Sequence, residues 1–255
     1  MTPEPVVRVS DLTIGWPDAV LLEGASFEIR RGEVFAILGR SGSGKSTLLR
    51  HLVGLAAPMH GTIDVLGRAP SVSATSGPPP FGVTFQSGAL LGSLTVGENI
   101  ALPVRHWARI RGEVLDALVR AKLRIVGLHG AAEMMPSELS GGMRTRAAIA
   151  RAMVLEPSLL FLAEPMAGLD PVTAADLDAL LAVLNRALGL TVVLVTHDLA
   201  SVERVVGRCL LVDRTTRSIV ATGDPRELRE TSGDPRVRDF FNPSARQADT
   251  AESIA

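Results

Sequence analysis

Apolar positions along the chain follow three rhythms. Val6-Val7-Arg8-Val9 alternates, and Leu21 to Arg30 continues the alternation to a turn at Arg31-Gly32, which predicts strands. Val34-Phe35-Ala36-Ile37-Leu38 is apolar throughout, the pattern of a strand covered on both faces. It runs into a Gly-rich loop and then a helical stretch from Lys45 to about Leu55, closed by Ala57-Pro58. Thr62-Ile63-Asp64-Val65 resumes as a strand. Ser71 to Pro80 reads as a loop, because its three prolines fit neither a helix interior nor a central strand.

From about Leu94 to Met135 the period turns helical, with Val114, Leu115, Leu118 and Val119 predicted to form one apolar face. A further helix is expected from Arg144 to Met153. Leu159 to Leu162 and Thr191 to Val195 read as two more buried strands, separated by a helix from Pro171 to about Leu188. Strands alternating with helices predict an α/β fold with a parallel sheet and crossover helices. Asn242 to Ala255 is polar and reads as a loosely held tail. The chain shows no internal repeat.

Composition narrows the partners. A hydrophobic share of 46% over 255 residues supports a buried core, so disorder is excluded. The net charge of -1 supplies no broad basic field for nucleic acid, and the absence of Tyr leaves little base-stacking surface. The single cysteine, Cys209, lies in the apolar run Arg208-Cys209-Leu210-Leu211-Val212 and is expected to be a buried strand residue. Met1-Thr2-Pro3-Glu4-Pro5 lacks the blocks of a secretory signal, and no stretch reaches the roughly 20 apolar residues that cross a bilayer. The expectation is a cytoplasmic protein whose membrane role, if any, comes through a partner.

The chemistry begins at Gly39-Arg40-Ser41-Gly42-Ser43-Gly44-Lys45-Ser46, which fits G-x-x-x-x-G-K-[ST] between a strand and a helix. Glycines let the backbone curl so that successive N–H groups point at phosphate oxygens, and the helix start adds positive potential. Lys45 is placed to reach the β- and γ-phosphates and the Ser46 hydroxyl to bind Mg²⁺, with Thr47 next to them in the binding set. Leu139-Ser140-Gly141-Gly142-Met143, ahead of a helix, is a second candidate anion site. It offers the Ser140 hydroxyl and the close-approach amides of Gly141 and Gly142.

In this order the motifs resemble the ABC ATPase family over nearly the whole chain. The resemblance implies a P-loop NTPase with a mostly parallel sheet core, an antiparallel β subdomain and an inserted helical subdomain. It implies one nucleotide-binding domain over 6–230, with the helical subdomain at about 90–150, and an extension over 231–255. Two chains would sandwich two ATP molecules, Ser140-Gly141-Gly142 of one completing the pocket of the other. Gln86 matches the glutamine that contacts Mg²⁺ and senses the membrane partner. Glu164 matches the carboxylate that polarises the attacking water. Asp170, in Ala167-Gly168-Leu169-Asp170, matches the loop that crosses the dimer interface. His197 matches the histidine at the γ-phosphate, and Trp16 the aromatic that stacks on adenine. His51, His60, His106 and His129 receive no role.

One position departs from that pattern. The strand before Glu164 should end in an aspartate that holds Mg²⁺, and the chain reads Leu162-Ala163-Glu164-Pro165. No other Asp lies between Ser140 and Asp170. ATP binding is expected to persist while Mg²⁺ affinity and turnover fall. The open alternatives are a carboxylate from elsewhere in the fold and an engineered substitution.

The run from Gln86-Ser87-Gly88-Ala89-Leu90 through Ser93-Leu94-Thr95-Val96-Gly97-Glu98-Asn99 to Ala101-Leu102-Pro103 resembles ATPases of the Mla/Mce type. These are bacterial phospholipid transporters of outer-membrane asymmetry and the related mammalian-cell-entry systems. Asp234-Pro235-Arg236-Val237-Arg238-Asp239-Phe240-Phe241 resembles their C-terminal region. The resemblance implies a homodimer on the cytoplasmic face of the inner membrane. Its implied partners are a multi-pass permease docked near Leu90 to Pro103, an Mce-type lipid-binding protein and a STAS-domain subunit, with no nucleic acid. The alternatives are an amino-acid or metal-chelate importer, a hydrolysis-deficient regulatory module, and a soluble ABC protein acting on DNA or ribosomes. The last usually needs tandem domains or long coiled-coil insertions that this length lacks.

Overall fold

Alternation becomes pairing at the start of the chain. In the computed structural model β1 (Pro5–Trp16) and β2 (Ala19–Arg30) run antiparallel, with Arg8 opposite Glu28 and Val9 opposite Phe27. β1 is longer than its alternating stretch because register shifts around Asp11 let the chain bend and continue. The structure describes residues 4–70 and 77–242, so Ser71 to Ser76 of the expected loop and all but Asn242 of the expected tail lie outside it. Two compact units emerge, one of Met1–Pro70 with Val195–Ala255, the other of Ser71–Leu194.

In the first unit β3 (Val34–Leu38) is buried at every position and hands the chain to α1 (Lys45–Leu52) through the glycine-rich loop. The helix ends before the expected Leu55, because Gly54 adopts a left-handed conformation (φ 77°) and turns the chain out. β4 (His60–Val65) then pairs antiparallel with the free side of β1, giving the order β2-β1-β4.

The second unit opens with β5 (Gly82–Thr84) and a 3₁₀ turn over Gln86–Ala89. The stretch expected to be helical from Leu94 to Met135 divides into α2 (Val96–Trp107), α3 (Gly112–Ile125) and two 3₁₀ turns at Ala131–Glu133 and Pro136–Glu138. Leu115 and Val119 are buried, but Val114 is 66% exposed, so the apolar face is narrower than its spacing suggests. Adjacent positions i and i+1 point about 100° apart on a helix, and only one member of each pair can face inward.

α4 (Gly141–Ala152) begins three residues before the expected Arg144, because the Ser140 hydroxyl accepts the Met143 N–H and caps it. β6 (Leu159–Ala163) is parallel to β5, α5 (Pro171–Leu188) follows, and β7 (Thr191–Val195) lies beside β6.

The rest of the chain returns to the first unit. α6 (Leu199–Val205) leads to β8 (Arg208–Asp213), parallel to β3, and β9 (Ser218–Gly223), antiparallel to β8. α7 (Pro225–Thr231) and α8 (Pro235–Phe241) close it. Arg208 locks β8 to β3: it donates to both Glu33 carboxylate oxygens (2.7 and 3.1 Å) and lies 4.9 Å from the Phe35 ring centroid. A bidentate, largely buried contact of this kind contributes on the order of 1–3 kcal/mol. Among the described residues no helix is long and apolar enough to cross a membrane.

Cys209 is fully buried in β8, and burial, reinforced by the negative charge of Asp224, pushes its thiol up to about 12. The reactive thiolate is therefore scarce at pH 8 in the folded chain. Titration with a thiol-reactive disulfide should proceed at least about 100-fold more slowly on folded protein than after unfolding in urea. Comparable rates would place Cys209 at the surface.

Candidate functional site

The first unit carries the phosphate loop. β3 delivers Gly39 at its end and α1 begins at Lys45, so the loop is anchored at both ends by regular structure. Gly42 (φ 75°) and Gly44 (φ 94°) occupy left-handed backbone that a Cβ would strain, and Leu21 of β2 packs 3.3 Å from where a Cβ on Gly44 would stand. Lys45 is buried. Its Nζ donates to the carbonyls of Gly39 (2.7 Å) and Arg40 (3.1 Å), so the ammonium draws the loop round itself.

Ser43 Oγ is buried with no hydrogen-bond partner among the described residues. An orphaned buried hydroxyl costs about 1–3 kcal/mol, which an anionic oxygen seated in the loop would relieve. α1 starts at a glycine with no side-chain cap and no acidic residue in its first turn, so its opening amides face the loop without a competing carboxylate. Ser46 is exposed and Thr47 half-buried in that turn. The loop is bent by its glycines, clasped by Lys45 and uncapped where it enters α1.

His197 sits in the same unit, exposed, on a segment pinned from both sides. The Thr196 N–H donates to Ile37 of β3 (3.2 Å), and Thr196 Oγ1 accepts the Asp198 N–H (3.0 Å). The Asp198 carboxylate then caps α6 through Ala200 and Ser201. Trp16 ends β1, is 55% exposed, and belongs to the hairpin whose Leu21 leans on Gly44. Trp16, the loop from Gly39 to Thr47, and His197 are thus all in one unit.

Gln86, Ser140, Gly141, Gly142, Glu164 and Asp170 fall in the other. Ala163 and Glu164 line a cavity of about 200 Å³ together with Thr84, Gly88, Arg144 and Gly168. Glu164 stands at φ 45°, an unfavourable backbone for a residue with a Cβ, held because its carbonyl accepts the Ala167 N–H (3.1 Å). Ala163 is buried and offers only a methyl. Among the described residues no group of three His, Cys, Asp or Glu side chains is placed to hold a metal.

The start of α4 is sterically exact in its demand for glycine. A Cβ on Gly142 would lie 2.4 Å from Thr173 Cγ2 and one on Gly141 3.1 Å from Leu169 Cδ2. Asp170 is an exposed N-cap of α5: its carboxylate accepts from the Val172 and Thr173 amides (3.1 and 3.0 Å) and from the Thr173 hydroxyl. The Thr173 hydrogen bonds hold its pKa below the ordinary carboxylate value.

Three functional supports escaped the sequence reading. Asn99 is fully buried; its amide NH₂ lies 3.0–3.1 Å from the carbonyls of Leu91, Leu94 and Thr95, and its Oδ1 accepts the Leu91 N–H (2.8 Å). Beside it Thr95 and Glu98 form a reciprocal capping box on α2. Arg151 of α4 donates to the carbonyls of Gly88 (2.9 Å) and Ala89 (2.8 Å), which ties the turn after Gln86 to the helix that starts at Ser140. Burial lowers the Arg151 pKa from its ordinary value. Arg40 was read as a member of the loop, and its contact with α8 is the third support that the sequence did not show. The only signals were a Glu-Asn pair after Thr95 and arginines that periodicity treats as surface.

Comparison with known proteins follows the same lines. A family model described as ABC transporter matches residues 22–167. The chain is 39% identical over 243 residues to the intermembrane phospholipid transport system ATP-binding protein MlaF of Escherichia coli (strain K12), covering 93% of this chain and 88% of that one. It is 37% identical over 240 residues to the probable ribonucleotide transport ATP-binding protein mkl of Mycobacterium leprae, covering 92% and 68%. Among solved structures, the dimeric post-hydrolysis state of the ATP-binding cassette MJ0796 bound to ADP and Pi superposes with a TM-score of 0.75 at 28% identity, covering 86% of this chain and 98% of that one.

Replacing Asn99 by Leu keeps the volume but removes the partner of the Leu91 N–H and of the Leu94 carbonyl. Asn99→Leu should lower stability by about 2–4 kcal/mol in urea unfolding. It should also open the segment after Gln86 to proteolysis. Wild-type stability in the variant would show that the buried amide does not organise this segment.

Proposed function

The chain belongs to the ABC transporter ATPase family, and from that premise we propose that it binds ATP at Gly39 to Thr47 and drives phospholipid transport by a membrane permease. The observation that carries the proposal is the pairing of two anion-receiving helix starts, at Gly44 and at Ser140, in a chain 39% identical along 93% of its length to a phospholipid transporter's ATP-binding protein.

In this reading Lys45 and the loop amides hold the phosphates, and Trp16 offers its exposed ring to the adenine. Glu164 orients the attacking water and His197 contacts the γ-phosphate. Ser140, Gly141 and Gly142 of one chain complete the site of a second copy, the arrangement that accounts for two separate phosphate-binding starts in one chain; Asp170 lies along that interface. The solved structure of MJ0796 is dimeric and bound to ADP and Pi. The segment from Leu90 to Pro103 meets the permease, with Leu91 and Leu102 exposed and Asn99 holding its backbone in place. Closure of the dimer on ATP is the mechanical step to which the permease responds. In the proposed assembly the ATPase sits on the cytoplasmic face of the inner membrane with a STAS-domain subunit, and an Mce-type lipid-binding protein serves the permease from the periplasmic side.

Ala163 modifies the proposal. Mg²⁺, when bound, would neutralise phosphate charge, and a methyl at this position supplies no oxygen to hold the ion or its water shell. Nucleotide binding persists while hydrolysis is slow, which also favours a second reading: a regulatory module that holds ATP without turning it over.

Two measurements test these readings. The Ala163→Asp variant should show Mg²⁺-dependent ATPase activity raised by about 10- to 100-fold over wild type, the scale on which a metal-supporting residue acts. Equal, robust rates in both chains would sink the slow-turnover reading. Copurification of the membrane permease that binds this chain, followed by analysis of bound small molecules, should recover phospholipid; a ribonucleotide or an amino-acid importer permease would overturn the lipid reading.

A further inference from the structure

Arg40 is the residue of the phosphate loop whose side chain leaves the loop. Its backbone carbonyl takes part in the clasp, accepting from Lys45 Nζ (3.1 Å) and from the Ser43 N–H (3.1 Å). Its guanidinium reaches the other way, and Nη2 donates to the Asp239 carbonyl of α8 (3.3 Å). One residue thus joins the group that grips the ammonium to a helix 199 positions later in the chain.

α8 is not a loose end at its described residues. Val237, Phe240 and Phe241 are buried, the two rings meet edge to face with centroids 5.3 Å apart, and Asp234 caps the first turn. Asn242 accepts from Arg229 Nε (3.3 Å) of α7. The turn between β8 and β9 comes to the same place. Arg214 Nη1 stands 3.5 Å from where a Cβ on Gly42 would sit. The phosphate loop therefore touches the β8–β9 turn at Gly42 and α8 through Arg40, all within the first unit.

A loop that receives a polyanion on its amides loses conformational freedom, and the peptide of Arg40 is inside the part that is ordered. A planar guanidinium with five donors transmits that order to a carbonyl it already holds. We propose that Arg40 is a positioning residue that couples the phosphate loop to α8, so that nucleotide in the loop orders α8 and whatever secures α8 tightens nucleotide binding. The second half follows from the first, because a coupling free energy between two sites is reciprocal. The proposal rests on the nucleotide-site reading above.

Amide hydrogen exchange over Pro235–Phe241, with and without ATP in magnesium-free buffer, tests it in wild type, Arg40→Met and Arg40→Lys. Melting temperatures check that each variant is folded. ATP should raise protection of α8 by about 3-fold or more in wild type, leave Arg40→Met unchanged, and act on Arg40→Lys in part. Arg40→Met should weaken ATP binding by about 5-fold, the effect of one charge-assisted hydrogen bond. Phe240→Ala, remote from the loop in sequence, should weaken it as well. Nucleotide-insensitive exchange in wild-type α8, or an equal response in wild type and Arg40→Met, would overturn the coupling. A wild-type chain that binds no ATP at all would instead overturn the nucleotide site, and the coupling with it.

Discussion

A helix start left without a cap can accept hydrogen-bonding groups from outside the chain, and the first unit is built around such a start at α1. Gly42 and Gly44 turn the backbone, and α1 begins without a capping side chain or an acidic neighbour. In the same loop Ser43 Oγ is buried without a partner among the described residues. Such a loop would collapse or flex without supports. They come from Lys45, which clasps the Gly39 and Arg40 carbonyls, from β3 behind it, locked to β8 by Arg208, and from Leu21 against Gly44. Strain concentrated at a binding loop is tolerable when its surroundings over-determine it.

The second unit solves a different problem, which is to hold irregular backbone in a fixed course. Between Gln86 and α2 the chain has few ladder bonds of its own, so side chains supply them. Asn99 satisfies Leu91, Leu94 and Thr95 from inside, and Arg151 satisfies Gly88 and Ala89 from α4. The helix that presents Ser140 therefore also holds the turn that follows Gln86.

Local chemistry was legible in the sequence; long-range support was not. The phosphate loop could be read because its glycines, lysine and hydroxyl must be contiguous, and β3 and β6 because a strand covered on both faces is apolar throughout. Glu164, His197 and Gln86 were placed by their order after strands and by family resemblance. Val114 was read onto the wrong face because neighbouring apolar residues give a period without a phase. The roles of Asn99 and Arg151, and the contact of Arg40 with α8, were missed because the partners are carbonyls, which every residue carries and no sequence pattern marks. The contact between Arg40 and Asp239 spans 199 positions and involves no side chain at its far end.

The burial of Cys209 has a practical side. The chain has no other cysteine, and this one is sealed inside β8 with its thiol kept protonated. Toward maleimides and methanethiosulfonates the protein is close to a blank background. A cysteine introduced at an exposed site such as Leu188 would then carry a spin label or fluorophore alone, without first deleting a native residue. Paired labels on two copies would make distances between them measurable in an otherwise unaltered molecule.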